Sequence, residues 1–206
     1  MDNELLQNGT DYWSCLERLV PLANILGNLA IIIGVWLAYR QLKAWKVEHL
    51  AKRKAETAEL LLSRAMNVKS AIASVRSGIE SIPADTKDSQ QEVIELKWER
   101  LRSYDDDFDR LRELQVLHEA LVGTRAVKDA IDDLFSVRQE IFAALSTLNG
   151  WKLGADPRDE HVKLQQDLRA ILYAMGTEHD KLRPRIHVAI ETLRDHLLPE
   201  IRMQRK

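Results

Sequence analysis

Cysteine is almost missing from this chain: Cys15 is the single one among 206 residues. That excludes an intramolecular disulfide framework and any zinc site built from cysteines. Proline (5) and glycine (8) are scarce and aromatic residues make up 6%, so a turn-rich β architecture has little to build on. A formal net charge of −2 provides no general attraction for nucleic acid. The phosphate-loop, dinucleotide and nucleophile-elbow patterns G-x-x-x-x-G-K-[ST], G-x-G-x-x-G and G-x-S-x-G do not occur, and with them go the usual signals of nucleotide binding and serine-hydrolase chemistry. The six histidines (His49, His118, His161, His179, His187, His196) are scattered. None follows a glutamate at the Glu-x-x-His spacing of di-iron bundles, and His118-Glu119 lacks the second histidine of H-E-x-x-H. The acidic run Asp105–Asp109 fails as a calcium loop, because Arg110 and Val116 stand where glycine and a bidentate glutamate are needed. It reads as a solvated helix face. No catalytic, cofactor or metal site is therefore expected, and the chain is not read as an enzyme.

What is present is a long apolar run. Leu19–Tyr39, LVPLANILGNLAIIIGVWLAY, holds no ionisable group except its last tyrosine. At about 1.5 Å per residue it makes about 31 Å of helix, against about 30 Å of bilayer hydrocarbon. Pro21 falls in its first turn, where a missing N–H costs little. Trp13, Trp36, Tyr39 and Trp45 stand near its two ends, as an interfacial aromatic belt does. A cleaved signal peptide would start basic, whereas residues 1–18 carry Asp2, Glu4, Asp11 and Glu17 against Arg18 alone. A buried core helix would keep one polar edge, and this segment is apolar all round. The chain thus divides into a short extracytoplasmic segment (1–18), a transmembrane helix (19–41) and a cytoplasmic domain (42–206).

Orientation follows from the basic cluster Arg40, Lys43, Lys46, Lys52, Arg53 and Lys54. These cations resist translocation and place the C-terminal domain in the cytoplasm with the N-terminus outside; they also suit anionic headgroups of the bilayer. Ala23, Gly27, Ala30, Gly34 and Ala38 recur at steps of three and four. They form one small-residue face on which two spans can pack backbone to backbone, with Asn24 and Asn28 beside it.

Beyond Tyr39 nothing stops the helix until SIPADTKDS (Ser81–Ser89). Ala58, Leu61, Ala65, Val68, Ile72, Val75, Ile79 and Ile82 form a heptad seam that needs a partner helix, on a stalk of about 40 residues. A second helix is expected from about Gln90 to Leu121, with Gly123 ending it and Thr124 starting the next. The third, to about Asn149, has apolar residues on two faces, which suits an interior position. A turn-rich loop, GWKLGADPRD, leads to a fourth helical stretch from Pro157–Asp159. That stretch is interrupted at Gly176-Thr177 or kinked at Pro184, and stops at Pro199. The expectation is an all-α protein: one N-terminal transmembrane helix continuing into an antiparallel bundle of about four long helices.

The passage YRQLKAWKVEHLAKRKAETAELL (Tyr39–Leu61), with TEHDKLRPRI and LLPEIR near the end, resembles a loose family of uncharacterised bacterial single-pass inner-membrane proteins with a helical cytoplasmic domain. The resemblance implies the layout and carries no activity, cofactor or catalytic residue. Two function classes follow from the residues. One is a membrane-anchored interaction, scaffold or sensor protein, whose partners are the lipid bilayer, a second copy of the chain and a cytoplasmic protein, with no nucleic acid. The other is a membrane-perturbing effector of phage defence or toxicity, acting through oligomerised spans.

Overall fold

A computed structural model describes residues 3–78, 89–150, 159–174 and 180–203, with side chains described from Asn24 onward (and at Pro21) apart from 89–90, 150, 159–162 and 203. Among the described residues there are six helices and no strand: α1 (Asn3–Val75), α2 (Ser89–Ser103), α3 (Asp105–Leu121), α4 (Arg125–Gly150), α5 (Asp159–Leu172) and α6 (Leu182–Met203). The chain forms two compact units, Met1–Ala51 and Lys52–Lys206.

The first unit is the N-terminal part of α1. It is the one helix among the described residues long and apolar enough to cross a membrane, and none of its apolar window is buried. Ile25, Leu26, Ile32, Ile33, Val35 and Leu37 are all exposed, Ile32 at 66%. None of these side chains is buried in this structure. Pro21, expected in a first turn, lies in the interior of α1, because the helix already starts at Asn3.

The second unit is a helical bundle with one continuous core. α4 is its hub, packing against α2, α3, α5 and α6; of the two apolar faces read from its sequence, Ile131, Leu134, Ile141, Leu145 and Leu148 are buried, whereas Phe142 of the second is 52% exposed and Phe135 half-buried. Val127, Ile131, Leu134, Val137, Ile141 and Leu145 of α4 are buried. From α6 come Leu182, Ile186, Ala189, Ile190, Leu193 and Leu197, and from α3 Phe108 and Leu111. Each fully buried aliphatic side chain contributes about 1.5–3 kcal/mol relative to exposure. The seam Ala58, Leu61, Ala65, Val68, Ile72 and Val75 is buried in this same core. Its partner is the chain's own bundle: the helix expected to project as a stalk of about 40 residues is packed from Ala55 onward. Ile79 and Ile82, the loop residues 81–88 and 151–158, and Gly176-Thr177 lie outside the described residues.

Two further boundaries differ from the sequence reading. The stretch from Gln90 to Leu121 is two helices, because Tyr104 (φ −101°, ψ 7°) breaks the regular geometry. The Ser103 hydroxyl donates back to the Arg100 carbonyl at 2.8 Å. The charges change sign at this point, with Arg100 and Arg102 in the last turn of α2 and Asp105, Asp106 and Asp107 in the first turn of α3, each sign at the helix end that its dipole favours. The acidic run is thus a helix start. Asp105 accepts from Arg138 at 2.6 Å and Asp107 from Arg64 at 3.2 Å. The second difference is Pro199, which lies inside α6 and does not stop it. Proline removes a hydrogen bond to the carbonyl four residues earlier; both Pro199 and Asp195 are exposed, so water reaches the orphaned carbonyl. Pro184 occupies the first turn of α6, where no such bond exists. Gly123 closes α3 as expected: at φ +73° it adopts the left-handed conformation that favours glycine, and its N–H and that of Val122 both reach the His118 carbonyl.

Candidate functional site

Three helix termini meet at one buried polar centre in the second unit. α1 ends at Val75, leaving its last carbonyls without helical donors. Lys97 of α2 supplies them: fully buried, its Nζ donates to the carbonyls of Val75 (2.8 Å) and Ser77 (2.7 Å). Arg100, one turn on, donates to the Ser74 carbonyl at 3.0 Å. The Lys97 ammonium also lies 4.7 Å from the centre of the Tyr173 ring, within cation–π range. Arg76, just past α1, does the same for the end of α5: its Nε donates to the Ile171 carbonyl at 2.8 Å and Nη2 to that of Ala170 at 3.4 Å. The backbone follows, with the Ala174 N–H donating to the Arg76 carbonyl at 3.0 Å.

The third terminus is the start of α6. Asp180 Oδ1 accepts from the N–H groups of Leu182 and Arg183, both at 3.1 Å, as an N-cap does. The same oxygen accepts from Arg76 Nη2 at 2.6 Å, and both side chains are almost wholly buried (3% and 2% exposed). Cations therefore sit at two negative helix ends and a carboxylate at a positive one, the arrangement helix dipoles favour. Burial raises the Asp180 pKa, but the Arg76 guanidinium and the amides of Arg183 and Leu182 outweigh it and hold the carboxyl below its ordinary value. Asp180 is thus an ionised acceptor. Its second oxygen, Oδ2, is buried with no hydrogen-bond partner among the described residues.

Beside this ion pair lies a cavity of about 630 Å³. Ile72, Ala73, Ala174, Pro184 and Ile186 give it apolar walls, Arg76 and Asp180 line it at the polar centre, and Lys69, Arg183 and His187 complete it. The volume lies within the range of about 300–1,000 Å³ of small-molecule sites.

The residues singled out from sequence lie elsewhere. Gly27, Ala30, Gly34 and Ala38 are exposed on α1, and a Cβ built on Gly27 or Gly34 meets nothing within 4 Å; the Ala23 side chain lies outside the described residues. Arg40, Lys43, Lys46, Lys52 and Arg53 are exposed and Lys54 is half-buried. Arg40 lies 5.7 Å from the Trp36 ring centre, and Lys52 lies 3.9 Å from Glu56. His118 is a packing residue, buried with its Nε2 3.4 Å from Glu200 Oε2. Among the described residues, no group of three or more His, Cys, Asp or Glu side chains is placed to hold a metal. The sequence reading missed Arg76, Lys97 and Asp180. Lys97 interrupts the Ile94–Leu101 stripe at helical spacing and Arg76 adjoins the heptad seam, and a charge at a core position is a signal that it is paired.

No protein-family model, curated protein or solved structure matches this chain.

Proposed function

We propose that this is a single-pass membrane protein whose helical bundle, on the cytoplasmic side, is an interaction or sensing module. The observation that carries the reading is the contrast within α1. Its N-terminal apolar stretch buries nothing against the chain, while its positions from Ala55 to Val75 are packed in a core. Apolar surface of that extent, left on all sides of one helix, is covered by lipid or by other copies. The basic residues from Arg40 to Lys54 support an orientation with the bundle inside. The open surface at Gly27 and Gly34 leaves the small-residue face available to a second copy. The bundle contributes a large helical surface and a lined cavity, which suits recognition.

Alkaline carbonate extraction of membranes tests the anchoring. The chain is expected in the membrane pellet, and a variant with Ile32→Lys and Ile33→Lys is expected in the supernatant, since each central lysine costs about 2.5–3.5 kcal/mol of insertion. Release of the unaltered chain by carbonate, with its helicity intact, would end this reading.

A further inference from the structure

We propose that one face of α1 holds anionic phospholipid in the leaflet at the C-terminal end of the span. The acyl chains lie along Leu29, Ile32 and Trp36, and the phosphate is held by Arg40, Lys43 and Lys46. The inference rests on the single-pass reading and names the class of lipid that the span prefers. All six residues belong to the unit Met1–Ala51, whose side chains are described from Asn24 to Ala51 without a gap.

Each part of the lipid answers one feature of this face. The six positions follow one another at steps of three and four, so they line one side of the helix, and all six are exposed. From Leu29 to Tyr39 the helix rises about 15 Å, half of the roughly 30 Å of bilayer hydrocarbon and so the depth of one leaflet. The Arg40 guanidinium lies 5.7 Å from the Trp36 ring centre, which holds the first cation at the level of the interfacial aromatic residues. Arg40, Lys43 and Lys46 stand three residues apart, so neighbours are about 5–6 Å apart at Cβ and two can reach one phosphate. None of the three makes an ion pair among the described residues, and the stretch from Arg40 to Lys46 contains no carboxylate. It rises about 9 Å, against roughly 5–7 Å of headgroup layer on each side of the bilayer. A zwitterionic headgroup brings its own ammonium into this positive field and an anionic one does not, so the net anion is preferred. A parallel second copy laid on this face would set three cations against three, and a soluble anion would leave Leu29, Ile32 and Trp36 wet.

The test places the full-length chain in nanodiscs of equal parts phosphatidylglycerol and phosphatidylcholine, with brominated acyl chains on one lipid or on the other. Headgroup composition is then identical in the two preparations, and only the quencher changes place. The Trp36 signal is the difference in fluorescence between the chain and its Trp36→Phe variant. Brominated phosphatidylglycerol should quench Trp36 more strongly, with a relative association constant of about five over phosphatidylcholine, the equivalent of about 1 kcal/mol for one cation near the surface. Arg40→Gln with Lys43→Gln and Lys46→Gln, all at exposed positions, should bring the ratio close to one while circular dichroism stays the same. Equal quenching by the two lipids, or a ratio unchanged in the triple variant, would overturn the proposal and leave the anchoring intact. So would a chain that enters the discs with Trp36 shielded from both quenchers, which would mean that a second copy covers the face. A chain that does not enter the discs at all would overturn the single-pass reading, and this proposal with it.

Discussion

Replacing Asp180 with alanine should be among the most damaging single changes in the bundle. It removes the anion from a pair in which both side chains are almost wholly buried, leaving Arg76 charged with the Ile171 and Ala170 carbonyls as its acceptors among the described residues. Breaking a buried pair from one side costs about 3–5 kcal/mol, and losing the N-cap of α6 contributes about 0.5–2 kcal/mol of comparable damage. The two overlap in one oxygen, so a total of about 3–5 kcal/mol is expected. Asp180→Ser separates them, because its hydroxyl still accepts from the α6 amides, and should recover about 1 kcal/mol. Arg76→Met alone strands the carboxylate, whereas Arg76→Met with Asp180→Ala strands nothing charged. The double variant should therefore lose less than the sum of the singles by about 1–3 kcal/mol. The assay is urea unfolding of the full chain in detergent, followed by far-ultraviolet circular dichroism. The Asp180 carboxyl is held below its ordinary value of 3.8 in the folded chain, so its contribution is fully present above that value and is lost as pH falls through the lower folded value. The gap between wild type and Asp180→Ala should accordingly be constant near neutrality and narrow below about pH 4. A loss under about 1 kcal/mol at neutral pH, or simple additivity in the double variant, would refute the ion-pair reasoning.

The remaining expectations concern the core, the α1 terminus and the span. Lys97→Met should cost about 2–4 kcal/mol, because two carbonyls, those of Val75 and Ser77, lose a charged donor in a buried place; urea unfolding reads it directly. Leu134→Ala, at a fully buried position, should cost about 2–5 kcal/mol in the same assay, while Leu117→Ala, at a position 47% exposed, should change stability by less than about 0.5 kcal/mol. Cys15 and the small-residue face predict a disulfide-linked dimer on non-reducing electrophoresis of membranes. The band should vanish with Cys15→Ser and fade with Gly27→Leu plus Gly34→Leu.

The helical fold was legible because apolar periodicity survives tertiary context when each stripe has a core to face. The Ala58–Val75 seam, the Ile131–Leu148 face of α4 and the Leu182–Leu197 stripe all lie where their spacing puts them. What spacing could not tell was whose core the seam joins, since a heptad pattern looks alike packed on its own chain or on a second copy. The Tyr104 break had no proline or glycine to announce it; its only trace is the reversal of charge in RLRSYDDD. Pro199 misled because a proline stops a helix only where the lost hydrogen bond has no substitute, and exposure at Asp195 provides one. The polar centre was hidden for another reason. Arg76, Lys97 and Asp180 are separated by up to 104 positions, the Arg76–Asp180 spacing, and lone charges at that distance show no motif until the fold joins them.

The central claim is that α1 crosses a membrane once, with residues 1–18 outside and the bundle inside, and the chain's single cysteine allows a direct measurement. Intact cells expressing the full-length chain are treated with a membrane-impermeant maleimide, alongside cells expressing Cys15→Ser with Lys206→Cys. With both sets of cells first reduced by an impermeant phosphine and washed, so that a Cys15–Cys15 disulfide does not mask the thiol, the account predicts that Cys15 is labelled in intact cells and that the cysteine at position 206 is labelled only after lysis. Labelling at position 206 in intact cells, with Cys15 protected, would contradict it.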